Sequence, residues 1–154
     1  MLVSERYTEV VEVLADLAPI TANGTVGAHV TGYVDFADFH RGFVWMHVGT
    51  PAAASTLTVT MQQAQDTAGT GTKEFTAFSG VAGSKAPVVL VAADAGVFLG
   101  IEIESTELDA SNGFHCLQTT VAVGVDSYTY ALAMLGTVPR YAPTDVTNFA
   151  EIVA

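Results

Sequence analysis

The sequence predicts an all-β chain: a single-domain antiparallel β-sandwich or jelly roll of about eight or nine strands. Three observations carry this expectation. Stretches of β-forming residues, rich in Val and Thr, alternate in polarity or are apolar throughout. Turn signals separate them, at Asn23-Gly24, Gly49-Thr50-Pro51, 66–71, 80–83, 94–96 and Asn112-Gly113. No amphipathic segment of the ~10–15 residues that a crossover helix needs lies between the stretches, which excludes an α/β arrangement. A chain of 154 residues suits one domain with one core.

Element by element, the first stretch is double-edged. Tyr7, Val10, Val11 and Leu14 fit a helical stripe, but Val11, Val13, Ala15 and Leu17 also alternate. Valine density and a stop at Pro19 favour the strand. Residues 43–48 are apolar on both faces, which places them centrally in a sheet or under a neighbour, with Trp45 in the core. Leu57, Val59 and Met61 alternate with Thr56, Thr58, Thr60 and Gln62, a strand with one polar face. Gly69-Thr70-Gly71-Thr72-Lys73 then reads as a hairpin connection from a strand ending near Gln65 to one beginning near Lys73. Val97, Leu99, Ile101 and Ile103 alternate with Phe98, Gly100, Glu102 and Glu104. Leu117, Thr119, Val121, Val123 and Val125 do the same in the next stretch, and 128–136 is again apolar on both faces. An N-terminal arm (about 1–8) and a C-terminal tail (about 139–154) flank the domain. In the tail, Val146, Phe149 and Val153 fit either a short helix after Pro143 or an extended segment.

Charge narrows the function. Five Lys and Arg stand against sixteen Asp and Glu, a formal net charge of −11. Nucleic-acid binding requires clustered cations to neutralise phosphates. Lys73, Lys85, Arg6, Arg41 and Arg140 are scattered, so direct DNA or RNA binding is excluded, and anionic membrane surfaces with it. The longest apolar run, 86–93, is eight residues with Pro87 inside it. A membrane helix needs ~20. Residues 1–16 mix acids with one Arg and carry no cleavage pattern, so no signal peptide is expected. Half the residues are hydrophobic and only 14% are charged. That balance excludes disorder and points to apolar surface covered by other chains.

The residues that could carry chemistry do not assemble into a motif. His29, His40, His47 and His115 lack the i, i+2 or i, i+4 spacing that places two metal ligands on one face, and His115 and Cys116, as strand neighbours, should point oppositely. Cys116 alone cannot form an intramolecular disulfide, and no cation beside it in sequence activates it. Ser79-Gly80 and Gly83-Ser84 lack the strand-turn-helix setting of a nucleophile elbow. The 69–73 segment lacks phosphate-loop spacing. Glu102 and Glu104 share a strand face, followed by Glu107 and Asp109, but no sugar-stacking aromatics neighbour them in sequence, and a solvated acidic face is expected. The expectation is a protein with no catalytic centre, no cofactor and no metal.

The order of these features resembles a known family. It begins with a strand running into Leu17-Ala18-Pro19 and continues with Tyr33-Val34-Asp35-Phe36-Ala37-Asp38-Phe39-His40-Arg41. Then follow an apolar strand ending Val48-Gly49, the segment 57–73, Ile101-Glu102-Ile103, Glu107-Leu108-Asp109, Asn112-Gly113-Phe114 and a closing Pro139-Arg140-Tyr141-Ala142-Pro143. Across almost its whole length the chain is similar to small virion structural proteins of tailed bacteriophages. The resemblance implies a capsid decoration (cement) protein on the outer surface of the head. It would be a homo-oligomer, favouring a trimer, that clamps neighbouring major capsid protein subunits, made in the host bacterial cytoplasm. Net negative charge suits an outer position, since it repels packaged DNA. Residues 1–7 and 140–154 are the expected clamps, with Leu2, Val3, Tyr7, Arg140, Tyr141 and Phe149 as assembly contacts. Two alternatives are a tail or head-tail connector component and a carbohydrate- or cell-surface-binding sandwich module. The latter requires a line of exposed aromatics.

Overall fold

The computed structural model describes residues 11–22, 28–75 and 88–139. Ten strands form within them: β1 (Val11–Ala22), β2 (Ala28–Val30), β3 (Val34–Asp35), β4 (Phe39–Val48), β5 (Thr56–Ala64), β6 (Lys73–Glu74), β7 (Val88–Val91), β8 (Phe98–Glu104), β9 (Cys116–Gly124) and β10 (Tyr128–Pro139). One sheet has the order β1-β10-β4-β8, the other β2-β9-β5-β6, with β3 added on β9 and β7 on β5. All pairs are antiparallel.

The short strands are interrupted halves of longer ones. β2 and β3 follow one another along β9, separated by a break that holds Gly32 at φ +79°. β6 and β7 likewise share β5 as partner. Counting each couple once leaves eight strands, in the orders first-eighth-third-sixth and second-seventh-fourth-fifth. This interleaving of two Greek keys is the jelly roll. Among the described residues this agrees with the eight or nine strands expected from the sequence.

The period-2 pattern sets which side chains fill the space between the sheets. Val44, Met46 and Val48 of β4, Ile101 and Ile103 of β8, and Tyr130, Leu132 and Met134 of β10 meet Leu57, Val59 and Met61 of β5 and Leu117, Val121 and Val123 of β9. Phe36 and Phe39 join this core, their rings 6.1 Å apart. They occupy the space left by Gly42 and Gly136, which are paired across β4 and β10. A Cβ on Gly42 would come within 2.5 Å of the Phe36 ring, and one on Gly136 within 2.7 Å of Phe39.

Two sequence expectations are corrected here. Pro19 does not end the first strand: β1 continues to Ala22, with its register on β10 shifting between Leu17 and Ile20. An edge strand with a bulge tolerates the missing N–H, because no second neighbour requires it. Val125 does not continue the inward series either. It is 80% exposed with φ +70°, in the turn joining β9 to β10. The hairpin expected at 69–73 forms, with Gln63 paired to Lys73. The assembly contacts expected at Leu2, Val3, Tyr7, Arg140, Tyr141 and Phe149 lie outside the described residues, as do the turns at Asn23-Gly24 and 80–83 and the choice between helix and tail near Phe149.

Candidate assembly surface

Both two-sided apolar strands are central in the first sheet, β10 and β4 lying between β1 and β8. Their inner faces fill the core. Their outer faces form a surface in register: Ala131, His47 and Phe98 stand in one row, Ala133, Trp45 and Gly100 in the next, then Leu135, Phe43 and Glu102, and last Thr137, Arg41 and Glu104. Outward positions of an antiparallel sheet are ordinarily polar. Here three of the four rows are apolar or aromatic at the centre.

The rings are mutually ordered. Phe98 stacks on Trp45 with centroids 5.4 Å apart and planes 27° from parallel, and on His47 at 4.6 Å and 28°. Phe43 reaches over Gly100, where a Cβ would lie 2.5 Å from its Cζ. Phe98 is 64% exposed and Trp45 39%. The expectation that Trp45 sits in the core is therefore overturned. Its strand is two-sided, but among the described residues no further layer covers the outer side. Alternation could not reveal this, because both of its phases are apolar; the i, i+2 spacing of Phe43, Trp45 and His47 was the available signal. At the far end of the face Arg41 and Glu104 form an exposed ion pair at 3.7 Å, so the surface grades from aromatic to charged.

The remaining candidates are distributed over the molecule. Glu102 and Glu104 are exposed on β8, as a solvated acidic face requires. Glu107 turns back to accept a hydrogen bond from the Glu104 N–H at 2.8 Å. Asp109 binds Lys73, whose ammonium also lies 4.0 Å from the Phe114 ring centroid. The Lys73 hydrogen bond, then that from Asn112, holds the Asp109 carboxyl down at about 2. His29 places Nδ1 2.6 Å from the Tyr130 hydroxyl, whose pKa burial pushes up to about 12. This contact lies at a shallow apolar cleft of about 440 Å³, lined by Leu17, Pro19, Ile20 and Val30 between the edges of the two sheets. His40 is exposed. Ser79 and Ser84 lie outside the described residues. Cys116 is fully buried, and burial, followed by the charges of Asp35 and Asp66, pushes the free thiol up to about 11. The expectation that His115 and Cys116 point apart is corrected. β9 begins at Cys116, so His115 lies in the irregular segment just before the strand and is not bound by its alternation; Asp35, His115 and Cys116 come together. Among the described residues, no helix is long and apolar enough to cross a membrane.

No protein-family model matches the chain, and no curated sequence does. Among solved structures it is similar to the Bacillus endospore appendages described as disulfide-linked pili, at 7% identity and TM-score 0.39, covering 84% of this chain and 89% of that one. It is also similar to infectious bursal disease virus, Gx strain, at 14% and 0.44, covering 85% of this chain and 33% of that one. For Broad Bean Stain Virus the values are 6% and 0.36, covering 70% and 63%. The chain thus spans about a third of the bursal disease virus chain and just under two thirds of the bean virus chain. Likenesses at these scores fix neither kinship nor role.

Proposed function

We propose that this chain is a structural virion protein, a capsid decoration (cement) protein on the outer surface of a tailed-phage head. In this reading it works by adhesion, as a homo-oligomer, favouring a trimer, that stabilises contacts between major capsid protein subunits. It has no catalytic centre and binds no nucleic acid or membrane. The observation that carries the reading is the ordered aromatic face of Phe43, Trp45, His47 and Phe98 on a sheet whose other side already fills the core. Rigid aromatic side chains grouped on one exposed face, with charge at one end of it, have the composition of interface anchors. A net charge of −11 suits an outer position on a DNA-filled shell. Shells assembled with and without the protein should differ in melting temperature, and the protein should co-purify stoichiometrically with intact particles. An unchanged melting temperature refutes cementing, and a low copy number per particle favours a connector or tail role.

The same face supports a second reading, a carbohydrate- or cell-surface-binding module, because stacked, exposed Trp45 and Phe98 supply the line of aromatics such a module needs. A glycan array separates the two: specific sugar binding lost on Trp45→Ala selects this reading over adhesion.

A further inference from the structure

We propose that Asp35, His115 and Cys116 form a three-ligand site for a divalent cation of the zinc type, at the place where β3 meets the start of β9. The inference is independent of the assembly reading. One donor atom from each residue lies within 4.8 Å of those of the other two. Tetrahedral ligands at ~2.0–2.3 Å from zinc stand ~3.3–3.7 Å apart, so closure needs side-chain shifts of about an ångström.

Backbone register explains the meeting. Cys116 pairs with Asp35 on one side and Ala64 on the other, so all three project from the same face of the second sheet. It is the outer face, since Leu117, the next residue, is in the core. Cys116 is nevertheless 0% exposed. His115 is held to both neighbouring strands by its backbone. Its N–H donates to the Ala64 carbonyl at 3.2 Å, and its own carbonyl accepts from the Phe36 N–H at 2.9 Å.

The donors are also oriented. His115 Nδ1 lies 2.9 Å from the Gly113 carbonyl, which can only accept, so Nδ1 is the donor there and Nε2 is the nitrogen left to take a cation. A backbone partner on the second ring nitrogen is the usual outer support of a metal-binding histidine. Asp35 Oδ1 accepts from the Ala37 N–H at 2.8 Å, which fixes the carboxylate in an Asx turn. Asp66 adds negative charge nearby, but its oxygens are engaged by the Ala68 N–H, the Thr70 N–H and the Thr70 hydroxyl. Lys73 is committed to Asp109 and Arg41 to Glu104, so neither is the countercharge for this corner. One sulfur, one imidazole nitrogen and one carboxylate oxygen select zinc, or cobalt in its place, over calcium and magnesium, which take oxygen ligands alone. Asp35 is exposed and gives a path of entry.

The test titrates the full-length, metal-free chain with Co²⁺ and follows absorbance. The expected result is one equivalent bound, with a thiolate-to-cobalt charge-transfer band that Zn²⁺ displaces and that excess Ca²⁺ or Mg²⁺ does not. Asp35→Asn and His115→Gln should each weaken binding by more than the ~10–100-fold cost of losing an outer hydrogen-bond partner. Cys116→Ser should remove the charge-transfer band. Should Cys116→Ser not fold, Asp35→Asn, at an exposed position, carries the test, with its fold verified by melting. No charge-transfer band in the parent chain overturns the proposal, as does a band with unchanged affinity in the Asp35 and His115 variants.

Discussion

Phe98→Ala separates adhesion from folding most cleanly. Phe98 sits on β8, an edge strand, and keeps 64% of its surface in water, so its removal opens no core cavity. What the fold loses is the ring stacking on Trp45 and His47, worth ~0.5–1.5 kcal/mol for an aromatic pair beyond its burial. For a chain of this size that is a fall in melting temperature of ~1–6 °C. A partner that covers the face gains much more. Of the ~200 Å² that a phenylalanine offers, the exposed fraction leaves about 130 Å² to be buried on docking. At ~25 cal/mol per Å² this is ~3 kcal/mol, or ~100-fold in the affinity of each contact, as an upper value. The assay pairs thermal melting of the free protein with co-sedimentation on shells that lack it. A variant that melts near the parent chain and binds shells ~100-fold more weakly agrees with the adhesive face. A folded Phe98→Ala that binds shells as the parent does refutes it.

Three further outcomes follow from particular contacts. Gly42→Ala should destabilise the chain by ~1–3 kcal/mol, because Phe36 is fully buried and the Leu135 carbonyl stands 3.0 Å from the new methyl; Gly100→Ala should cost less, since Phe43 is only half-buried and can swing outward. Chemical denaturation of both variants checks the order, and equal costs contradict it. Thr119→Val should raise the melting temperature, because the Thr119 hydroxyl is fully buried and finds no hydrogen-bond partner among the described residues, and an unpaired buried group costs ~1–3 kcal/mol. Asp109 is lowered from 3.8 to about 2 in the fold, so the stabilisation from its pairing is complete above the ordinary value and is lost as pH falls through about 2. Melting temperature followed from pH 5 down to pH 2 should therefore fall less steeply in Asp109→Asn, and identical slopes argue against the Lys73 pair as its source.

Much of the fold was legible because alternation is local. Thr56–Ala64, Phe98–Glu104 and Cys116–Gly124 each write their inward residues at every second position, and those residues form the core. The hairpin at 69–73 was legible for a related reason, since its glycines at 69 and 71 both adopt positive φ. Pro19 misled because proline stops a strand only where its N–H is needed, and an edge does not need it.

By itself, then, the sequence determined that this chain folds as stacked antiparallel sheets, which side chains point inward along the strands that alternate in polarity, and that its charge repels polyanions. Tertiary structure alone decided that no further layer of the described residues covers the central strands, and hence that the second apolar face of β4 is turned outward with Trp45 on it. It alone brought Asp35 to His115 and Cys116 across some eighty residues of chain. The reason is physical: a side chain's phase along a strand follows from its immediate neighbours, whereas its surroundings depend on pairings between segments distant in sequence, which periodicity does not encode.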